Sequence, residues 1–231
     1  MQTVYDLFIK GGPVMWPLFG LSVATCGCAI ERAVFWIRLL SQEHQVVHDV
    51  LTAAQVDLNQ AAEIAQQSNK LPIGRFLLAP LQLRHPSPET FRLALESTGD
   101  QEFVYMRRGN KLLETVVAIS PLLGLLGTVT GLILTFDSLK IGGGGSVADM
   151  TNAASGIGEA LMSTATGMVV AIVALLFFRV FVSLQANQVD YFTQVGSKLE
   201  LIYRQIWYEP YLAHPNPPWP APQDLSISKD P

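Results

Sequence analysis

The sequence predicts an all-α integral membrane protein with three transmembrane helices, the second and third extended into the cytoplasm. Three observations carry that reading. Charged residues make up only 15% of the chain against 49% apolar residues, with a mean hydropathy of +0.31, where a soluble domain carries about 25% charge. The runs Gly11–Ile30, Thr115–Phe136 and Ala160–Phe178 hold no charge, and each is long enough to cross ~30 Å of hydrocarbon as a helix. Beyond Arg179, Phe192, Val195, Leu199, Ile202 and Ile206 recur at helical spacing.

In order, residues 1–13 read as an outer lead whose Val4, Leu7 and Phe8 suit a membrane surface, broken by Gly11, Gly12 and Pro13. Residues 14–37 are the first span, with Trp16 and Trp36 about 30 Å apart in the two interfacial belts. A basic n-region is missing and the apolar stretch runs on, so a signal peptide is not expected. Residues 38–112 read as a helical segment with joints at Gln55–Asn59 and Asn69–Pro72 and a turn at His85–Pro88. Residues 113–137 are the second span, 138–154 a Gly-rich periplasmic loop, 155–208 the third span with its extension, and 209–231 a Pro-rich tail expected to be disordered. Asn152 or Ser155 is the expected cap of the third span. Arg75, Arg84, Arg92, Arg107, Arg108 and Lys111 place 38–112 in the cytoplasm, against Lys10 and Lys140 outside. The chain therefore starts outside and ends inside.

The second span is unusual in composition. It holds Pro121, Gly124, Gly127 and Gly131 with Thr128, Thr130 and Thr135. Gly124, Thr128, Gly131 and Thr135 share one helical face. Gly156, Ala160, Thr164, Gly167, Ala171 and Ala174 form a second small-residue face on the third span. Small residues let helix backbones approach closely in lipid. Such faces serve either as a tight helix seam or as a seam that also lines a polar path.

Along antiparallel helices, Thr128 lies about 21 Å from the inner end at Glu114, and Thr164 about 22 Å from the inner end at Arg179. The two hydroxyls are thus expected at nearly one depth. Glu159 lies about 7 Å further out and points to a different side of its helix. A carboxylate there either complements the start of the third helix or takes part in proton or ion passage. One peripheral acid and a few hydroxyls do not make a self-contained relay, so a partner with an intramembrane acid is expected.

Other chemistries find little support. The net charge of −4 gives no basic footprint for nucleic acid. No nucleophile, base and orienter converge, so no catalytic residues and no cofactor are assigned. His44 and His48 share a helix face but have no third ligand, so no metal is expected. Cys26 and Cys28 point to nearly opposite sides of one helix, which disfavours a disulfide. The Gly142–Gly145 run lacks the Lys-Ser/Thr of a phosphate loop.

The runs SPLLGLLGTVTGLILTF (Ser120–Phe136) and GIGEALMSTATGMVVAI (Gly156–Ile172) resemble the two signature helices of the ExbB/TolQ/MotA proton-channel family. Met15–Val23 followed by Ile30–Arg32 resembles the first helix of its ExbB/TolQ branch. The resemblance implies a homopentamer in the bacterial inner membrane, with the second and third spans lining a pore. That pore would hold a single-span ExbD- or TolR-like partner whose aspartate carries the proton, and proton flow would drive a TonB- or TolA-like protein. By motif match, Thr128 and Thr164 would line the pore and Glu159 would be the functional glutamate, with Pro121, Gly124, Gly127, Gly131 and Gly167 packing the helices. Three spans favour ExbB/TolQ over a four-span MotA-like stator. A non-conducting membrane scaffold and a small-solute transporter remain as readings from other classes, although internal repeats expected of a transporter are not visible.

Overall fold

The computed structural model describes residues 12–141 and 147–210. Among the described residues six α-helices follow one another: α1 (Met15–Ala54), α2 (Leu58–Gln67), α3 (Pro72–Leu81), α4 (Pro88–Met106), α5 (Asn110–Ile141) and α6 (Val147–Ile202), which ends in a π-helical turn, Tyr203–Tyr208. No strand occurs among the described residues. The expected lead at 1–13, except for Gly12 and Pro13, the Gly142–Gly145 run and the tail beyond Pro210 lie outside the described residues. Three helical stretches are long and apolar enough to cross a membrane, within Met15–Ala54, Pro88–Asp137 and Ala153–Tyr208. The chain forms two compact units, one from 12–34 and 108–183, the other from 35–107 and 184–210.

The first unit contains the apolar spans. Leu18, Met15 and Val14 at the start of α1 pack with Leu123 of α5. Leu21 joins Val116 and Val117 of α5 and Val170 and Ala174 of α6. Most of the remaining apolar surface points outward, including Ile30, Leu122, Leu134, Leu161 and Leu176, as helices solvated by lipid require. Between α4 and α5 the chain turns at Gly109, whose φ is +85°. A Cβ there would approach Cys28 Sγ at 2.8 Å and Arg32 Nε at 3.2 Å. The Cys28 thiol itself lies 3.7 Å from the Gly109 carbonyl oxygen, and both cysteines are free.

The second unit is a helical pack with a polar exterior. α1 does not stop at the end of the first span. Trp36, Leu39, Glu43, Val47, Val50 and Ala54 are buried along one face at steps of three and four, and no Gly or Pro interrupts 38–54, so the helix continues. The expected joints appear. Asp57 accepts from the Asn59 amide at 2.8 Å to cap α2, and Ser87 accepts from the Thr90 amide at 3.2 Å, with Pro88 opening α4. Arg75 of α3 holds Glu102 of α4 through Nε at 2.6 Å and Nη2 at 2.5 Å. Phe192 of α6 sits between Phe76 and Phe103, with ring centroids 4.8 and 5.3 Å away.

Two expectations change here. The last part of α6 buries Phe192, Val195 and Leu199 as the spacing implies, but then Tyr203 in place of Ile202 and Ile206; Ile206 is exposed. Tyr203 follows Leu199 at a step of four, so the buried face simply continues in α-helical register up to the π-helical turn. The helix of the third span also begins earlier than expected, at Val147 and not at Asn152 or Ser155, because Val147–Thr151 contains no residue that stops a helix, while its apolar stretch runs within Ala153–Tyr208.

Candidate functional site

The two small-residue faces pack against each other inside one chain. Ser120, Gly124, Gly127, Gly131 and Thr135 of α5 are buried against Gly156, Ala160, Ser163 and Gly167 of α6. A Cβ added to Gly131 would lie 2.9 Å from the Ala160 Cβ, and one on Gly124 2.9 Å from the Thr164 Cα. One on Gly127 would collide with the Ser163 hydroxyl, and one on Gly167 would lie 3.0 Å from the Gly124 Cα. These contacts are tighter than any side chain beyond hydrogen allows, which is why glycine occupies all four places. The Gly127–Gly131 face is occupied by Ser163 and Ala160 of the same chain, a tight helix seam of the kind its small residues allow.

Hydroxyls run along this seam. Thr164 Oγ1 donates to the Gly124 carbonyl at 2.8 Å. Ser163 Oγ lies 2.9 Å from the Ala160 carbonyl and 3.2 Å from that of Gly124. Thr135 Oγ1 donates to Gly131 at 2.8 Å. Thr128 and Thr164 are both half-buried at the edge of the seam, between its closed interior and the outward faces. Thr128 Oγ1 donates to Leu125 of its own helix at 2.7 Å. The depth estimate from the helix ends put the two threonines level, but they are offset along the seam. Thr164 stands opposite Gly124, one turn or about 6 Å along α5 from Thr128.

Glu159 is placed apart from them. Because α6 starts at Val147, Glu159 is about three turns into the helix and cannot complement the α6 terminus. Its carboxylate lies instead against Gly12, where a Cβ would collide with Oε1 and where φ is +72°. Gly12 lies three residues before the first residue of α1, and its carbonyl accepts from the Met15 amide at 3.1 Å. The carboxylate therefore stands near the start of the first span, where unpaired amides and the helix dipole favour an anion.

Pro121 is half-buried within α5 and leaves the Val117 carbonyl without its helical donor. Next to it, the Ser120 hydroxyl is fully buried with no hydrogen-bond partner among the described residues. Sequence reasoning assigned no site role to Ser120 or to Ser163. The available signal was a hydroxyl flanking a proline within an uncharged run, and a hydroxyl at helical step from Gly156, Ala160 and Gly167. The structure brings Gly124, Gly127, Gly131, Gly167 and Thr164 into one seam, with Thr128 at its edge; it does not bring Glu159 to the threonines.

Comparison with known proteins covers both helices of the seam. Residues 68–194 match the MotA/TolQ/ExbB proton channel family. The chain is 67% identical to an ExbB-like biopolymer transport protein of Synechocystis sp. over 91% of its length and 83% of the relative. It is 39% identical to a second ExbB-like protein of that organism over 87% of its length and 96% of the relative. With the biopolymer transport protein exbB1 of Vibrio cholerae it shares 28% identity over 93% of its length and 92% of the relative.

Proposed function

Because this chain belongs to the MotA/TolQ/ExbB proton channel family, we propose that it is a subunit of an inner-membrane motor in which proton flow drives a periplasm-spanning protein. One observation carries the reading: two otherwise uncharged spans close on a glycine seam whose edge carries the hydroxyls of Thr128 and Thr164. Hydroxyls both donate and accept, so they can hold water and follow a carboxyl group through its protonation change, which an alkyl lining cannot. The described span residues contain no acid within this seam, so the titrating group comes from a partner: a single-span ExbD- or TolR-like protein with an intramembrane aspartate.

Five copies would close a ring around that partner, joined through faces other than the glycine seam. The driven protein would be TonB-like or TolA-like. The N-terminus would be periplasmic and residues 38–112 cytoplasmic, as the basic residues there favour. Glu159 has two readings. Family likeness makes it a member of the proton path; its position against Gly12 favours an anchor for the start of the first span. Replacement by Gln separates them: an anchor role loosens the first helix and lowers stability, whereas a path role reduces proton flow in a protein of unchanged stability.

The test is co-purification of the chain with its native partners, followed by proton uptake in vesicles holding the complex. A small single-span protein with an intramembrane acid is expected in the complex, and proton uptake is expected only when it is present. Recovery of the chain alone, with no proton uptake in any preparation, would remove the motor reading in favour of a membrane scaffold.

A further inference from the structure

Outside the spans, Glu43 of α1 and Gln188 of α6 meet in the interior of the second unit. They are 2% and 3% exposed. Gln188 Nε2 donates to Glu43 Oε1 at 2.9 Å. The other oxygen of each group, Glu43 Oε2 and Gln188 Oε1, is buried and has no hydrogen-bond partner among the described residues. With Glu43 ionised, both leftover atoms are acceptors and cannot satisfy each other. A single proton on Oε2 turns it into a donor that Gln188 Oε1 can accept. Acid and amide then close a ring of two hydrogen bonds. Exchanging the amide nitrogen and oxygen changes nothing in this count, since one proton on the carboxyl is still required.

Among the described residues, none of the ion pairs includes Glu43. The titratable groups that face it are His44, its neighbour on α1, and Tyr191 on α6, which are joined to each other by a hydrogen bond of 3.1 Å. Burial raises the Glu43 carboxyl above the usual carboxylate range, with the Gln188 bond and His44 opposing it more weakly. Tyr191 is pushed up by burial and by Glu43, so it stays a neutral phenol.

We propose that Glu43 is a proton-binding site, protonated at neutral pH in a closed carboxylic acid–amide ring with Gln188, and that loss of the proton to water loosens the grip of α1 on α6. Deprotonation replaces one hydrogen bond with two facing acceptors and strands a charge in the interior, which costs far more than a lost neutral bond. The first and last helices of the unit are thereby tied to the proton concentration around it. This site is separate from the seam of α5 and α6 and does not depend on the role given to Thr128 and Thr164.

The sign of the pH dependence follows from the raised carboxyl. The stability contributed by the ring is fully present below the ordinary Glu range and is lost as pH rises through the higher folded value. The test uses the full chain in membranes. Infrared difference spectra between the wild-type protein and Glu43→Gln at neutral pH should show a protonated-carboxyl stretching band that belongs to Glu43 and disappears at a midpoint above the ordinary carboxylate range. Gln188→Met should shift that band to the position of an acid without a hydrogen-bond partner. Thermal unfolding should shift to lower temperature for the wild-type protein as pH rises from acid to mildly alkaline. Glu43→Gln, which retains an amide–amide ring, should stay level over that range. Absence of the band at neutral pH, or parallel pH curves for the two proteins, would overturn the proposal.

Discussion

The Thr164 hydroxyl donates to the Gly124 carbonyl oxygen at 2.8 Å, across a close approach of α5 and α6. That carbonyl also takes the helical bond of the Thr128 amide, four residues on. A side chain of one span and the backbone turn that carries the other threonine are thus joined at a single oxygen. Thr164 has a structural duty that Thr128, bonded within its own helix, does not share.

Thr164→Val should therefore weaken the seam, by about 0.6 kcal/mol if it behaves as an average interhelical bond in a membrane. Thr128→Val should leave stability nearly unchanged. Unfolding of the purified proteins in graded denaturing detergent checks this, and equal losses for the two variants would show that the bond does not hold the helices.

The glycine seam predicts a sharp contrast between glycines of the same chain. Gly127→Leu and Gly131→Leu put a branched side chain where even a Cβ is crowded, and overpacking of this kind costs about 1–3 kcal/mol or more. Both should reduce the folded yield severalfold. Gly20→Leu and Gly27→Leu meet nothing within 4 Å of the new Cβ and should accumulate as the parent does. Membrane-fraction yield and detergent-resistant folding read the difference.

Tyr203 is a test of the second unit. Its ring stacks on Phe91 with centroids 4.4 Å apart, and its hydroxyl donates to the Pro86 carbonyl at 2.6 Å. Burial pushes its ionisation up to about 12. Tyr203→Phe keeps the stack but strands the Pro86 carbonyl, so it should destabilise the protein by about 1–3 kcal/mol. Absorbance titration of the native protein should lose its most alkaline tyrosine transition in the same variant.

Orientation can be read on intact cells. In a background with Cys26 and Cys28 replaced by Ser, a single cysteine at Ser146 should react with an impermeant thiol reagent. One at Ser87, in the turn that caps α4, should not. The reverse pattern would invert the assignment drawn from the basic residues of 38–112.

Much of this molecule was legible because the membrane leaves few options. Uncharged runs of spanning length must be helices, and basic residues mark where they end. The breaks at Gln55–Asn59 and His85–Pro88 were readable because turn-forming polar and proline residues punctuate the helical pattern, although the capping residues themselves, Asp57 and Ser87, were not singled out. What the spacing could not reveal was partner choice. The faces of Gly124–Gly131 and Gly156–Gly167 are each suited to any close helix, and only the structure shows that they choose each other. The continuation of α1 to Ala54 was hidden because a change from lipid-facing to polar composition at Arg38 resembles a boundary, while the buried stripe through Glu43 and Val47 runs on. For Glu159 the sequence left two readings open, and the start of α6 at Val147, which puts this residue in the helix interior, removes the one in which it complements the helix terminus.

The central claim is that a hydroxyl-bearing seam edge serves proton passage. It is tested most directly by reconstituting the co-purified complex into vesicles and measuring proton uptake under an imposed gradient for the parent, Thr128→Val and Thr164→Val. The account predicts that both variants co-purify with the same partners in the same ratio and that proton uptake falls at least tenfold in each. Full uptake in both, at unchanged assembly, would contradict it.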